Sequence, residues 1–150
     1  MATGHDLAEQ LLRRAVDDEA AARAMLPLET VTDAIVGFHA QQAVEKSLKA
    51  VLAARNVEFP FIHDIEGLAD LCETAGVRLP DELDGVDRLT PYAAGLRYDD
   101  DEPSIVARET ALNWATVAVA WARSQIQDDG RPAAEDAETS ADGGCSESRS

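Results

Sequence analysis

Apolar residues recur at helical spacing through most of this chain, and nowhere do they alternate as a strand requires. Leu7, Leu11, Leu12, Ala15, Ala22 and Met25 predict a first helix over about 6–25, with an acidic opposite face. Pro27 ends it. Thr30 or Thr32 can cap a second helix that continues to about Arg55, free of Gly and Pro from Phe38 onward. Its seam of Ala34, Phe38, Gln41, Val44, Glu45, Leu48, Val51 and Leu52 is apolar except at Gln41 and Glu45. After a break at 56–63, marked by Pro60, Ile65, Leu68, Ala69 and Leu71 predict a third helix over 64–74 that stops at Gly76. Pro80 and Asp81 open a weaker fourth, holding Leu83, Val86, Leu89 and Ala93 and closing at Gly95. A charged loop, Leu96 to Pro103, leads into a fifth over 104–127.

The fifth helix is apolar on two sides. Ile105, Leu112, Ala115, Val119, Ala122 and Ile126 form one stripe, and Trp114, Val117 and Trp121 form another nearly opposite. A helix apolar on both sides is buried on both sides. In so small a chain one side is expected to face the bundle and the other a second copy, so Trp114, Val117 and Trp121 are the predicted dimer interface. Beyond Gln127 the chain turns to Gly, Ser, Ala, Asp and Glu, with seven acids against two arginines in 128–150. These patterns predict an all-α, up-and-down bundle of about five helices over 1–127, probed by no strand or repeat, and an acidic, disordered tail over 128–150.

Length supports one domain with a proper core. Alanine is abundant and aromatics are only 5 % of residues, which suits closely packed helix axes. A formal charge of −16 disfavours generic attraction to a nucleic-acid backbone or an anionic membrane, so any phosphate contact has to be local. The longest apolar run, Trp114 to Ala122, is too short to span a bilayer, and the charged N-terminus does not resemble a signal peptide. Cys72 in a helix and Cys145 in a polar tail suggest free thiols in a reducing compartment, so a cytoplasmic location is expected.

At 100° per residue His39, Gln42, Lys46 and Lys49 share one stripe of the second helix. Lys46 and Lys49 are the only lysines among thirteen cations, and two lysines one turn apart can act as point-charge phosphate binders. The plainer reading is a solvated face with Glu45 and Lys49 as an ordinary i,i+4 pair. Gln41 and Glu45 on the apolar seam need partners, either bridging to Arg97, Tyr92 or Tyr98, or holding a polar pocket beside the lysines. Asp64 is a candidate cap for the third helix, with His63 packed on the loop before it. The three histidines His5, His39 and His63 lack zinc-like spacing, no nucleophile turn occurs, and the nine glycines form no phosphate loop, so no metal or cofactor is expected.

The segment Phe38-His-Ala-Gln-Gln-Ala-Val-Glu-Lys-Ser-Leu-Lys-Ala50, with Pro60, His63-Asp64-Ile65, Leu68, Tyr92 and Arg97-Tyr98, resembles the HEPN domain family (higher eukaryotes and prokaryotes nucleotide-binding). Asp99 stands where the family usually has proline after that Arg-Tyr pair. The resemblance covers about Asp6 to Ile126. It implies a helical bundle that commonly dimerises and is often encoded beside a minimal nucleotidyltransferase in toxin–antitoxin-like pairs. Carried over, it makes Gln42, Lys46 and Lys49, with His39 and Arg97, candidates to meet nucleotide phosphates. Gln41, Glu45, His63, Asp64 and Tyr98 would be the supporting polar network.

Ribonuclease members of the superfamily carry an Arg, four to six residues and a His late in the domain. Here no histidine follows His63. The resemblance therefore implies a non-catalytic module that binds a nucleotide, a nucleotidyltransferase partner or both. The alternatives are a ribonuclease toxin with an atypical site, using His39 or His63, and a purely structural interaction module. RNA stays open as a ligand.

Overall fold

The computed structural model describes residues 3–60, 64–94 and 106–129. Four α-helices and two 3-10 segments make up the bundle: α1 (Gly4–Met25), α2 (Asp33–Ala54), α3 (Ile65–Thr74), the 3-10 segments Asp81–Leu83 and Val86–Ala94, and α4 (Arg108–Asp129). The chain is all-α, as its periodicity predicts. His63, Pro103, Ile105, the Arg97-Tyr98 corner and the acidic tail beyond 129 lie outside the described residues.

Local chemistry sets the helix ends. Thr3 and Asp6 form a reciprocal capping box at the start of α1, two residues ahead of the predicted boundary. Thr32 caps α2 and Asp64 caps α3, each by accepting a backbone N–H. The helix α2 stops where Asn56 adopts a left-handed φ of 58°, its N–H donating to Ala53 while Val57 donates to Leu52. The helix α3 ends the same way at Gly76, with φ of 86° and Val77 donating to Cys72. Both are Schellman endings, one built on Asn and one on Gly.

The helix α2 is the centre of the bundle, packing against α1, α3, α4 and the second 3-10 segment. Its partner α1 runs antiparallel and presents Ala8, Ala15 and Ala22, all fully buried and seven residues apart. Small side chains there let the axes approach closely. Gly37 serves the same end on another side of α2, because a Cβ there would come within 2.5 Å of the Tyr92 ring. Antiparallel to α1, α4 brings Leu112 to Ala22 and Ile126 to Ala8, at opposite ends of the contact.

Two expectations need correction. The predicted fourth helix is not α-helical. Its buried residues Leu83, Val86 and Leu89 fall three apart, the period of a 3-10 turn, and Gly85 at φ of 85° splits the segment. Pro91 also removes a backbone donor within the second piece. This segment then overturns the dimer-interface reading of Trp114, Val117 and Trp121. Trp114 is only 5 % and Trp121 8 % exposed in a single chain, and Val117 is half-buried against the same core. The indole of Trp121 donates to Arg78 O at 3.2 Å, and the Arg88 guanidinium lies 5.3 Å from the Trp114 ring. The second apolar face of α4 is thus covered from within the chain.

Candidate functional site

The polar stripe of α2 sits against α1, and its charges are engaged by carboxylates. Gln42 Nε2 donates to Gln41 Oε1 at 2.7 Å, and Gln41 Nε2 donates to Glu45 Oε1 at 2.8 Å. Lys49 Nζ donates to Glu45 Oε2 at 2.7 Å. Gln41 and Glu45 are fully buried, as the interrupted apolar seam requires if their groups are to be satisfied. Phe59 lies beside this ladder, with Lys49 Nζ 5.7 Å from its ring centroid.

A second carboxylate enters from α1. Asp18 Oδ2 accepts from Lys46 Nζ at 2.7 Å, and Asp18 Oδ1 pairs with His39 Nδ1 at 3.0 Å. The Phe38 ring meets His39 edge-on at 5.3 Å and helps fix its plane. Asp18 was invisible as a site residue in the sequence, where it merged with the acidic face of α1. Two facts together locate it: α1 and α2 are antiparallel, and their contact is seamed with alanine, which draws Asp18 onto the stripe.

The lysines are therefore not a solvated face. The side chains of Lys46 and Lys49 keep only 23 % and 12 % of their exposure. Nor are they unopposed phosphate clamps, since each would have to exchange a carboxylate for an incoming phosphate. With His39 neutral the charges of Asp18, Glu45, Lys46 and Lys49 cancel. What the stripe offers is a fixed set of donors, the remaining ammonium N–H groups and the second Gln42 N–H, with the far nitrogen of a neutral His39 as an acceptor beside them.

Other predicted residues separate from this cluster. Asp64 is exposed and acts as the α3 cap, its Oδ1 accepting from Glu66 N at 3.1 Å, so it is a helix-end residue and not part of the described network. Tyr92 reaches α2 through Gly37 and accepts from Val106 N at 3.3 Å, tying α2 to the start of α4. His63, Arg97 and Tyr98 fall outside the described residues. Burial of the Cys72 thiol pushes its pKa up to about 12, which leaves it protonated and a poor nucleophile near neutral pH. Among the described residues no group of three or more His, Cys, Asp or Glu could hold a metal ion.

A bundle centred on one helix, whose apolar seam is broken by a paired Gln and Glu, is matched by the family model of the HEPN domain over residues 8–125. The chain belongs to the HEPN family. Neither curated proteins nor solved structures give a match. The HEPN model spans α1 to most of α4 and includes every residue of the α2 cluster. No helix among the described residues of this HEPN domain is long and apolar enough to cross a membrane.

Proposed function

We propose that this HEPN domain is a non-catalytic helical module that uses the α2 stripe to bind a nucleotide, a minimal nucleotidyltransferase partner, or both. The observation that supports it is the ladder itself. Six polar side chains of α2, with Asp18, are held in fixed positions on one partly buried surface, where a purely structural helix would need none of them. Preorganised donors lower the ordering cost of binding and favour a ligand rich in acceptors. On this reading the chain is cytoplasmic, belongs to a toxin–antitoxin-like pair, and associates with a second copy through a surface other than the covered tryptophans.

The test is calorimetric titration of ATP, GTP and a purified minimal nucleotidyltransferase into wild type and into Lys46→Ala/Lys49→Ala. Loss of two charge-assisted contacts should weaken binding by about 1–3 kcal/mol. Unchanged affinity, or no binding of any of the three by wild type, removes the stripe as a binding surface.

One observation favours a second reading. His39 is oriented by Asp18 at 3.0 Å, an arrangement that suits general acid–base work. It is the described histidine on which an atypical ribonuclease would depend. Metal-independent RNA cleavage that disappears in His39→Ala would establish that reading in place of the non-catalytic one.

A further inference from the structure

All but three of the described cations have a partner. Lys46 and Lys49 hold carboxylates, Arg23 meets Glu19 and Thr116, Arg55 donates to Gln125, Arg78 pairs with Asp81, Arg88 covers Trp114, and Arg108 is enclosed by the α1–α2 turn. The exceptions are Arg13, Arg14 and Arg123, which make no ion pair or hydrogen bond among the described residues. All three line one groove of about 580 Å³ between α1 and α4.

The fold brings them together. Glu19 of α1 accepts from Thr116 of α4 at 3.0 Å, which fixes the antiparallel register of the two helices. Moving back from Glu19 by about six residues and forward from Thr116 by about seven sets Arg13 opposite Arg123, by the equal rise of two helices. Arg14 follows Arg13 on the same helix. In a chain with a net charge of −16, three exposed guanidiniums share one concavity with a single carboxylate, Asp17.

We propose that this groove binds a compact oligophosphate, such as the phosphate chain of a nucleoside triphosphate. The site is separate from the α2 stripe and does not rest on the function proposed above. Guanidinium forks match phosphate oxygens bidentately, and three of them answer a ligand that concentrates several charges in a small volume. Leu12 and Val16 give it an apolar floor, and Gln10 and Asp17 supply acceptors at its edge for hydroxyl or amino groups of the same ligand. An extended polyanion such as RNA fits less well, because beyond the groove it meets a strongly acidic molecule.

The experiment titrates sodium tripolyphosphate, ATP, a twelve-nucleotide single-stranded RNA and an acidic peptide into the full chain at low salt. The variants are Arg13→Gln/Arg14→Gln/Arg123→Gln, the corresponding triple Lys variant, and Lys46→Ala/Lys49→Ala. Tripolyphosphate should bind wild type, and the Gln variant should lose about 30-fold or more in affinity. The triple Lys variant should keep part of the binding, since charge remains while the fork is lost. In the Lys46→Ala/Lys49→Ala background the triple Gln substitution should still cost about 30-fold in tripolyphosphate affinity, which separates this groove from the stripe. Wild-type spectra recorded for arginine Nε–Hε groups give a readout independent of any variant's folding: tripolyphosphate should shift three such resonances. The proposal is overturned by no binding at millimolar ligand, by equal binding in the triple Gln variant, by loss only in the Lys46/Lys49 variant, or by tighter binding of RNA or acidic peptide than of tripolyphosphate.

Discussion

Two regions of this HEPN domain bury a cation beside a carboxylate, and they do opposite things with it. At the turn between α1 and α2, Arg108 donates from Nε to Asp33 Oδ1 at 2.6 Å. Its two terminal nitrogens donate to the carbonyls of Met25, Leu26, Leu28 and Val31, at 2.6 to 3.3 Å. Both terminal nitrogens of that guanidinium fork point into backbone. On the α2 stripe each lysine has one carboxylate, and its other N–H groups find no acceptor among the described residues. The arginine closes a structure, whereas the lysines leave hydrogen-bonding capacity open. A cation saturated by backbone carbonyls reads as architecture, and one left two-thirds unsatisfied at a partly buried surface reads as recognition.

The sharpest way to break this comparison is Arg108→Ala. It strips the last carbonyls of α1 of their donor, removes a positive charge from that helix's C-terminal end, and leaves Asp33 without its arginine. Taking five hydrogen bonds from a largely buried guanidinium should cost about 3–5 kcal/mol, mostly at the carbonyls because Asp33 is itself 40 % exposed, and that is a large fraction of a small domain's stability. Urea unfolding should show a lower midpoint at unchanged slope. Arg108→Lys should recover little, since a single ammonium cannot span five acceptors. A loss below about 1 kcal/mol would mean that water replaces the arginine and that the turn holds itself.

How far the sequence announces each region follows from its physics. The α2 stripe was legible because polar residues on an apolar seam stand out at helical spacing, and the burial of Gln41 and Glu45 follows directly. The helix ends at Asn56 and Gly76, and the Thr32 and Asp64 caps, are local signals in a few residues. Asp18 and Arg108 were not legible, because their roles depend on contacts 28 and 75 residues away in the chain. The tryptophans misled for a related reason. Their face of α4 is apolar enough to need a cover, and the cover is the 78–89 stretch, whose three-residue period resembles a weak α-helix in sequence. Reading Leu83, Val86 and Leu89 as a 3-10 ridge would have supplied it. The Arg13–Arg14–Arg123 groove also depends on α1–α4 register, which no helical projection of either helix alone contains.

A change of intermediate size is expected from Glu45→Gln. Glu45 is nearly fully buried, and its two oxygens accept from Gln41 and Lys49. The amide keeps the shape but loses the charge opposing Lys49, and it turns one acceptor into a donor facing another donor. About 1–3 kcal/mol of stability should go, measured by the same urea titration. Because Lys49 retains 12 % exposure, part of its lost partner is replaced by water, so the cost stays below that of Arg108→Ala. A loss equal to that of Arg108→Ala would erase the distinction between the two regions and make the stripe architectural.

The smallest stability effect belongs to Lys46→Ala/Lys49→Ala, and it sharpens the comparison most. The double substitution takes Lys46 from Asp18 and Lys49 from Glu45, but Asp18 keeps His39 and Glu45 keeps Gln41. Glu45 is the more buried of the two, so most of the penalty arises there. Lys46 is the more exposed lysine, and its pair with Asp18 is correspondingly screened. The summed loss should be about 1–2 kcal/mol, most of it from the buried Lys49–Glu45 pair, and still under the loss from the single Arg108 substitution. Raising salt from low to moderate concentration should reduce the difference between wild type and variant further, whereas the Arg108→Ala deficit should persist because its acceptors are mostly neutral carbonyls. A salt-insensitive loss of several kcal/mol from the lysine pair would show that these side chains hold α1 to α2, and that a partner has no claim on them.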